Sequence, residues 1–164
     1  EISQIEILGA PGMNITSRSK YALRAVIHLA RAKNNSARRE DLAVAQGGIS
    51  AEYLEKILLQ LREKNIVSAK TGPGGGYRLA KPAASLTAWE VINAVEGSPA
   101  PVACLANKSR PCGEGCEAMP FWKRVWDAAR HEMQQTSIAS LAEGTDTIEN
   151  FGDFCKAKPL IQCR

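Results

Sequence analysis

The run from Ser50 to Ala80, "SAEYLEKILLQLREKNIVSAKTGPGGGYRLA", decides the fold. Up to Asn65 it spaces Leu54, Ile57, Leu58 and Leu61 as one face of a helix. Glu52, Tyr53, Lys56 and Gln60 fall on the other face. Ser50 stands where a helix N-cap belongs. Beyond Asn65 the period changes. Ile66–Lys70 and Gly76–Ala80 read as two short strands, and the glycines between them suit a turn that needs positive φ. A phosphate-cradling loop would instead end in Gly-Lys-Ser/Thr and open directly into a helix. Here Tyr77, Arg78 and Leu79 resume a strand pattern. The stretch is an amphipathic helix followed by a β-hairpin.

Upstream, Ala22, Leu23, Val26, Ile27, Leu29 and Ala30 predict a helix over Ser17–Lys33, broken by Asn34–Ser36. A short helix over Arg39–Gln46 and a Gly47-Gly48 turn lead into the helix at Ala51. Two helices across a tight glycine turn, the second amphipathic, form a helix-turn-helix, and the hairpin is its wing. Downstream, Thr87 caps a helix carrying Trp89, Val91, Ile92 and Val95, closed by Gly97. Residues 98–116 are loop in composition, with Pro99, Pro101 and Pro111. A long helix over Met119–Gln135 bears Phe121, Trp122, Val125, Trp126, Ala129 and Met133. The expected fold is mainly α with a small β-hairpin wing: a winged helix-turn-helix domain plus a long dimerisation helix. The expected divisions are 1–12 (a tag remnant or N-terminal extension), 13–83 (the DNA-binding domain), 84–143 (helix, cysteine loop and dimerisation helix) and 144–164 (a flexible tail).

Charge is divided unevenly along the 164 residues. Residues 14–82 carry 13 Lys and Arg against 5 Asp and Glu, a net +8, whereas the whole chain is +4, so the rest sums to −4. A cationic first half implies a polyanionic partner. No run approaches the roughly 18–20 apolar residues of a membrane span, and the first residues do not read as a signal peptide. A cytoplasmic protein is expected.

The major groove of DNA, about 12 Å wide, admits one helix, and a helix-turn-helix places its second helix there. Candidate readers are Ser50, Glu52, Tyr53, Glu55, Lys56 and Gln60. Glu55 suits the cytosine amine, while Lys56 and Gln60 suit purine edges. Lys70, Thr71, Gly72 and Arg78 place the wing against the backbone or minor groove, and Arg18, Lys20 and Arg38 are candidate phosphate clamps. Each has a plainer reading: Tyr53 as packing, Glu52 and Glu55 as acidic residues favouring a helix start, and Lys56 as a solvated cation.

Five cysteines all lie within the last 61 residues. Cys104, Cys112 and Cys116 have C-x7-C-x3-C spacing inside the loop. Thiolates are soft ligands for iron–sulfur clusters, zinc or copper(I). A structural zinc and a metal-free thiol–disulfide switch stay open. Cys155 and Cys163 are incidental or an oxidisable pair.

The segment "ISAEYLEKILLQLREKNIVSAKTGPGGGYRLAKPA", together with "SKYALRAVIHLA", "DLAVAQGGIS" and "LTAWEVINAVEG", resembles the Rrf-two family of winged-helix transcriptional regulators, which includes IscR-, NsrR- and CymR-like members. The resemblance spans about Met13–Gly144. It implies a homodimer on palindromic double-stranded DNA, with base contacts at Glu55 and Lys56 and the wing in the minor groove. It also implies an iron–sulfur cluster, [2Fe-2S] or [4Fe-4S], on Cys104, Cys112 and Cys116. The sequence departs from the pattern at the fourth ligand. Met119 stands where IscR-like members have histidine, and Lys20 where NsrR-like members have aspartate. Glu114, Glu117, His28, His131, Cys155, Cys163 or a partner residue stay open for that role, with His28 read as core and His131 as surface. Under this reading the Met119–Gln135 helix pairs with its twin through Trp122, Val125 and Trp126, the plainer reading of the stripe being a monomer core. A thiol oxidoreductase is the rival class, but no C-x-x-C lies beside a βαβ pattern and the basic half would go unexplained. A cluster-free thiol-redox or small-molecule-responsive repressor of the CymR type is the other alternative.

Overall fold

The computed structural model describes residues 15–32, 36–72, 75–97, 99–106 and 116–144. The expectations for residues 1–12, Cys112, Glu114, Cys155, Cys163 and the tail beyond Gly144 lie outside these residues.

Seven α-helices, one 3-10 turn (Ala83–Ser85) and three strands occupy the described residues. α1 (Ser17–Arg31) starts at Thr16, whose hydroxyl accepts from the Arg18 amide at 3.1 Å. Glu96 reinforces that start: its Oε1 accepts from the Thr16 and Ser19 amides and hydroxyls, the Ser19 hydroxyl at 2.7 Å. α2 (Arg39–Ala45) and α3 (Ala51–Glu63) form the helix-turn-helix. The turn between them holds Gly47 and Gly48 at φ +84° and +76°, a region costly for residues with a Cβ. α3 opens on its Ser50 cap and buries Leu54, Ile57, Leu58 and Leu61. That is the apolar face the spacing predicts.

β2 (Val67–Lys70) and β3 (Gly76–Leu79) pair antiparallel as the wing, in register from Val67 opposite Leu79 to Lys70 opposite Gly76. A third strand, β1 (Ser36–Ala37), lies on the other side of β3, with Ser36 opposite Arg78 and Ala37 opposite Tyr77. The sequence shows Ser36 only as part of a break. Two residues are too few for a period-2 pattern, and the pairing partner lies some forty positions away. The clue is Gly76: a Cβ there would sit 2.6 Å from the Ala37 carbonyl oxygen, so glycine lets β1 approach.

α4 (Ala88–Glu96) carries a capping box in which Thr87 and Glu90 each bond the other's backbone amide. α5 (Ala103–Ala106) is a single turn within the segment expected to be loop. α6 spans Met119–Gln135 as predicted. α7 (Ile138–Glu143), missed in the sequence, starts at a Ser137 cap and buries Ile138 completely. Its start is pinned to α4 by backbone bonds from Ala88 to Thr136 and from Ile138 to Leu86.

The core is aliphatic. Ala22, Val26 and Leu29 of α1 meet Leu54, Leu58 and Leu61 of α3, Val91 and Val95 of α4, and Ile138 of α7. α1 is the central element, packed against α3, α4 and α7. α3 is therefore seated on its apolar face, with its polar face turned outward. α6 departs from this body but is tied to α4, where Trp126 is buried and meets Trp89 edge-on at 5.7 Å. The expectation that Trp126 seals an interface with a second copy needs correcting: the chain's own α4 covers it. Phe121 is 52 % exposed, and Trp122 and Val125 are half-buried.

Candidate nucleic-acid interface

The outer face of α3 presents the expected side chains in an ordered setting. Ser50 Oγ accepts from the Tyr53 amide at 3.1 Å, so this hydroxyl is engaged as the cap. Glu52 lies in the first turn, where its own backbone amide and then the Ser50 hydroxyl hold its carboxyl below the usual carboxylate range. Both residues thus serve the helix start, the plainer reading of Glu52. Tyr53 is partly packed and partly open: its ring meets Tyr21 edge-on at 6.0 Å while 37 % of the residue is exposed. Lys20, a candidate clamp, sits over the Tyr21 ring at 4.7 Å.

Glu55 is held by a residue that sequence reading passed over. Arg39 Nη1 donates to Glu55 Oε2 at 2.7 Å, and its Nη2 donates to Glu40 Oε1 at 3.0 Å. The hydrogen bonds that Arg39 donates to Glu40 and then to Glu55 raise its pKa above the ordinary value. The pair joins the first residue of α2 to the outer face of α3, and neither side chain is buried. The Glu55 carboxylate is therefore aimed by a guanidinium while it still meets solvent. Arg39 and Glu55 are sixteen positions apart, and no local spacing rule links residues that far apart.

Lys56 is exposed and Gln60 half-buried. They line a recess of about 270 Å³ with Arg18, Tyr53, Ile57 and Leu59. Arg18 donates to the Val95 carbonyl at 3.3 Å, so it braces the end of α4 as well as bordering α3. On the wing, Lys70, Thr71, Gly72 and Arg78 are all exposed, with Gly72 at φ +93°. Arg38, just before α2, is exposed too. Cations thus occur on α3, on the wing and at the start of α2, while Arg18 and Lys20 are committed in part to the protein itself.

The cysteine loop is described only at its two ends. Cys104 on α5 and Cys116 just ahead of α6 are both free and half-buried. Two soft, accessible thiols flanking the segment that carries Cys112 suit a cluster or a soft metal. Among the described residues no group of three His, Cys, Asp or Glu gathers into a metal site, and Cys112 is not among those residues. His131 is exposed on α6 as expected, whereas His28, read as core, is only half-buried on α1 and lies outside the core cluster.

Residues 15–144 match the Rrf2 family, described as iron-dependent transcriptional regulators. The chain belongs to the Rrf2 family. It is 31 % identical over 142 residues to the HTH-type transcriptional regulator IscR of Escherichia coli, covering 85 % of this chain and 86 % of that protein. The structure of CymR, the global cysteine regulator of B. subtilis, superposes with a TM-score of 0.68 at 27 % identity, over 80 % of this chain and 98 % of that one. The oxidized form of Staphylococcus aureus CymR gives 0.64 at 28 % identity, over 81 % and 98 %. This Rrf2 protein is accordingly a transcriptional regulator with a winged helix-turn-helix fold. No helix among its described residues is long and apolar enough to cross a membrane.

Proposed function

We propose that this Rrf2 protein acts in the cytoplasm as a homodimer on palindromic double-stranded DNA, not as an enzyme. α3 enters the major groove and the wing follows the backbone. The observation that carries this reading is the outer face of α3, where an oriented carboxylate at Glu55 stands beside Lys56 and Gln60. Glu55 accepts from a cytosine amine, and Lys56 and Gln60 address neighbouring purine edges. Tyr53 packs the helix in place and offers its open edge to the duplex. Ser50 and Glu52 set the helix start. Lys70, Thr71, Gly72 and Arg78 meet sugar and phosphate, which fixes register without reading sequence.

The half-buried Trp122 and Val125 and the exposed Phe121 on α6 form the face that pairs with a second copy. That pairing spaces two α3 helices about one DNA turn, roughly 34 Å, apart. The regulatory group is an iron–sulfur cluster held by Cys104, Cys112 and Cys116, [2Fe-2S] or [4Fe-4S], as in IscR-like members. When bound, it supplies a centre sensitive to redox state, nitric oxide or cluster supply. Cys104 and Cys116 both lie between α4 and α6, so a group held on them bears on how α6 sits against the winged domain. The second reading is a cluster-free thiol switch or a small-molecule-responsive repressor. It is favoured by the two free thiols and by the likeness to CymR, whose Staphylococcus aureus protein has an oxidized form.

Anaerobic purification separates the two. Iron and sulfide near stoichiometric with protein, a visible absorbance band, and loss of both in Cys112→Ala support the cluster. A colourless, iron-free protein whose DNA affinity changes with thiol oxidation supports the switch. Selection from randomised duplexes tests DNA recognition. An inverted-repeat site is expected, and no enrichment would overturn that reading.

A further inference from the structure

A cleft of about 290 Å³ opens beside α1, lined by Arg24, Ile27, His28, Arg31, Ala45, Gln46 and Leu141. Its size lies at the small end of small-molecule sites, which run about 300–1,000 Å³. No acidic residue lines it. Arg24 Nη2 donates to the Ala45 carbonyl at 3.1 Å. Arg31 Nε and Nη2 donate to Ala142 and Leu141 carbonyls at 2.7 and 3.1 Å. The two arginines therefore close the ends of α2 and α7, and each keeps further N–H donors.

Gln46 has no such role. It is 4 % exposed, and neither its Oε1 nor its Nε2 has a hydrogen-bond partner among the described residues. A buried amide left unpaired costs about 1–3 kcal/mol, so its retention calls for an explanation. Gln46 is one of the residues that line the cleft. Two guanidiniums favour an anion and disfavour an ammonium group. The amide, both donor and acceptor, suits a hydroxyl or second carboxyl. Ile27 and Leu141 suit a short carbon chain.

We propose that this cleft binds a small organic carboxylate bearing a second oxygen function, and that its occupancy is coupled to α3. The coupling rests on the DNA-binding reading above. Gln46 is followed directly by Gly47, Gly48, Ile49 and the Ser50 cap of α3, so a ligand that draws on the Gln46 amide acts on the turn that sets α3.

The test is calorimetric titration of the full chain with L-malate and with succinate, using inorganic phosphate for comparison. Saturable binding of at least one carboxylate, with Kd of about 1 mM or tighter, is expected. Gln46→Leu should weaken it at least about tenfold, a loss of 1.4 kcal/mol, while leaving the melting temperature unchanged or raised. Gln46→Met, close to glutamine in length, stands in if the leucine variant fails to fold. No saturable carboxylate binding, binding of phosphate alone, or binding that ignores both substitutions would overturn the site. Duplex affinity measured with and without malate should differ by about fivefold or more. Malate binding with unchanged duplex affinity overturns the coupling. Malate binding with no duplex binding at all keeps the cleft and removes the DNA reading instead.

Discussion

The pairing of Arg39 with Glu55 makes a sharp distinction between holding the fold together and reading DNA. Both side chains are more than a third exposed, at 37 % and 43 %. An ion pair that open contributes about 0.2–1 kcal/mol to stability, so Arg39→Ala should shift urea unfolding by no more than that. In recognition the same contact matters more. A glutamate free on a helix surface loses up to about 1.5–2 kcal/mol of side-chain entropy when it is fixed. Arg39 has already fixed much of it before DNA arrives. The base contact itself is of the order of 1–3 kcal/mol. Glu55→Ala should therefore cut discrimination between the preferred duplex and a shuffled one by about 1–3 kcal/mol. Arg39→Ala should lose about 1 kcal/mol of it, and the double variant should be little worse than Glu55→Ala. Fluorescence anisotropy on both duplexes at fixed salt gives the double-mutant cycle. Taking the ratio of duplexes cancels any phosphate contact Arg39 makes. If Arg39→Ala weakens both duplexes equally, the guanidinium is a phosphate ligand and does not orient Glu55.

Other consequences are simpler to read. Ser50→Ala removes the α3 cap and should cost about 0.5–2 kcal/mol in chemical denaturation, with Ser50→Gly costing less. Trp126→Ala should destabilise the chain by about 3–5 kcal/mol, because it empties the α4–α6 contact with Trp89; a loss confined to dimerisation would contradict that packing. Glu96 and Glu90 should make stability fall in acid. Burial raises both carboxyls, but hydrogen bonds from Thr16 and Ser19 to Glu96, and from Thr87 and Lys81 to Glu90, outweigh it and leave both below the ordinary 4.5. A depressed folded-state pKa stabilises above the unfolded value and is lost as pH drops through the folded one. Melting temperature should hold steady above pH 4.5 and decline below it, less steeply in Glu96→Gln.

The parts of the fold legible in the sequence are those with enough turns to show a period. α1, α3, α4 and α6 each repeat an apolar face, and Ser50, Thr87 and Gly97 mark ends that the structure retains. β1 and α7 are too short for any period, and each is held by a distant partner, β3 for one and Leu86 for the other. α5 hides among prolines and cysteines. Trp126 reads as an interface residue because one sequence shows an apolar stripe but not what covers it; Trp89, some forty positions earlier, does. At the candidate site the residue types on α3 were readable, whereas the engagement of Ser50 as a cap and the grip of Arg39 on Glu55 depend on tertiary placement. Arg18 and Lys20 looked like free cations, but each is partly occupied by the protein, at Val95 and at the Tyr21 ring.

The salt dependence of duplex binding probes the heart of the matter. Arg38, Lys56, Lys70 and Arg78 are exposed on the winged domain. If Arg38, Lys70 and Arg78 meet phosphate in both copies of a dimer while Lys56 reads a base edge, the slope of log Kobs against log salt approaches about −5, from roughly −0.9 per phosphate. Lys70→Ala and Arg78→Ala should each flatten it by about 2, one contact per copy. A slope near zero, or one indifferent to both substitutions, would mean that this face of the molecule does not hold DNA.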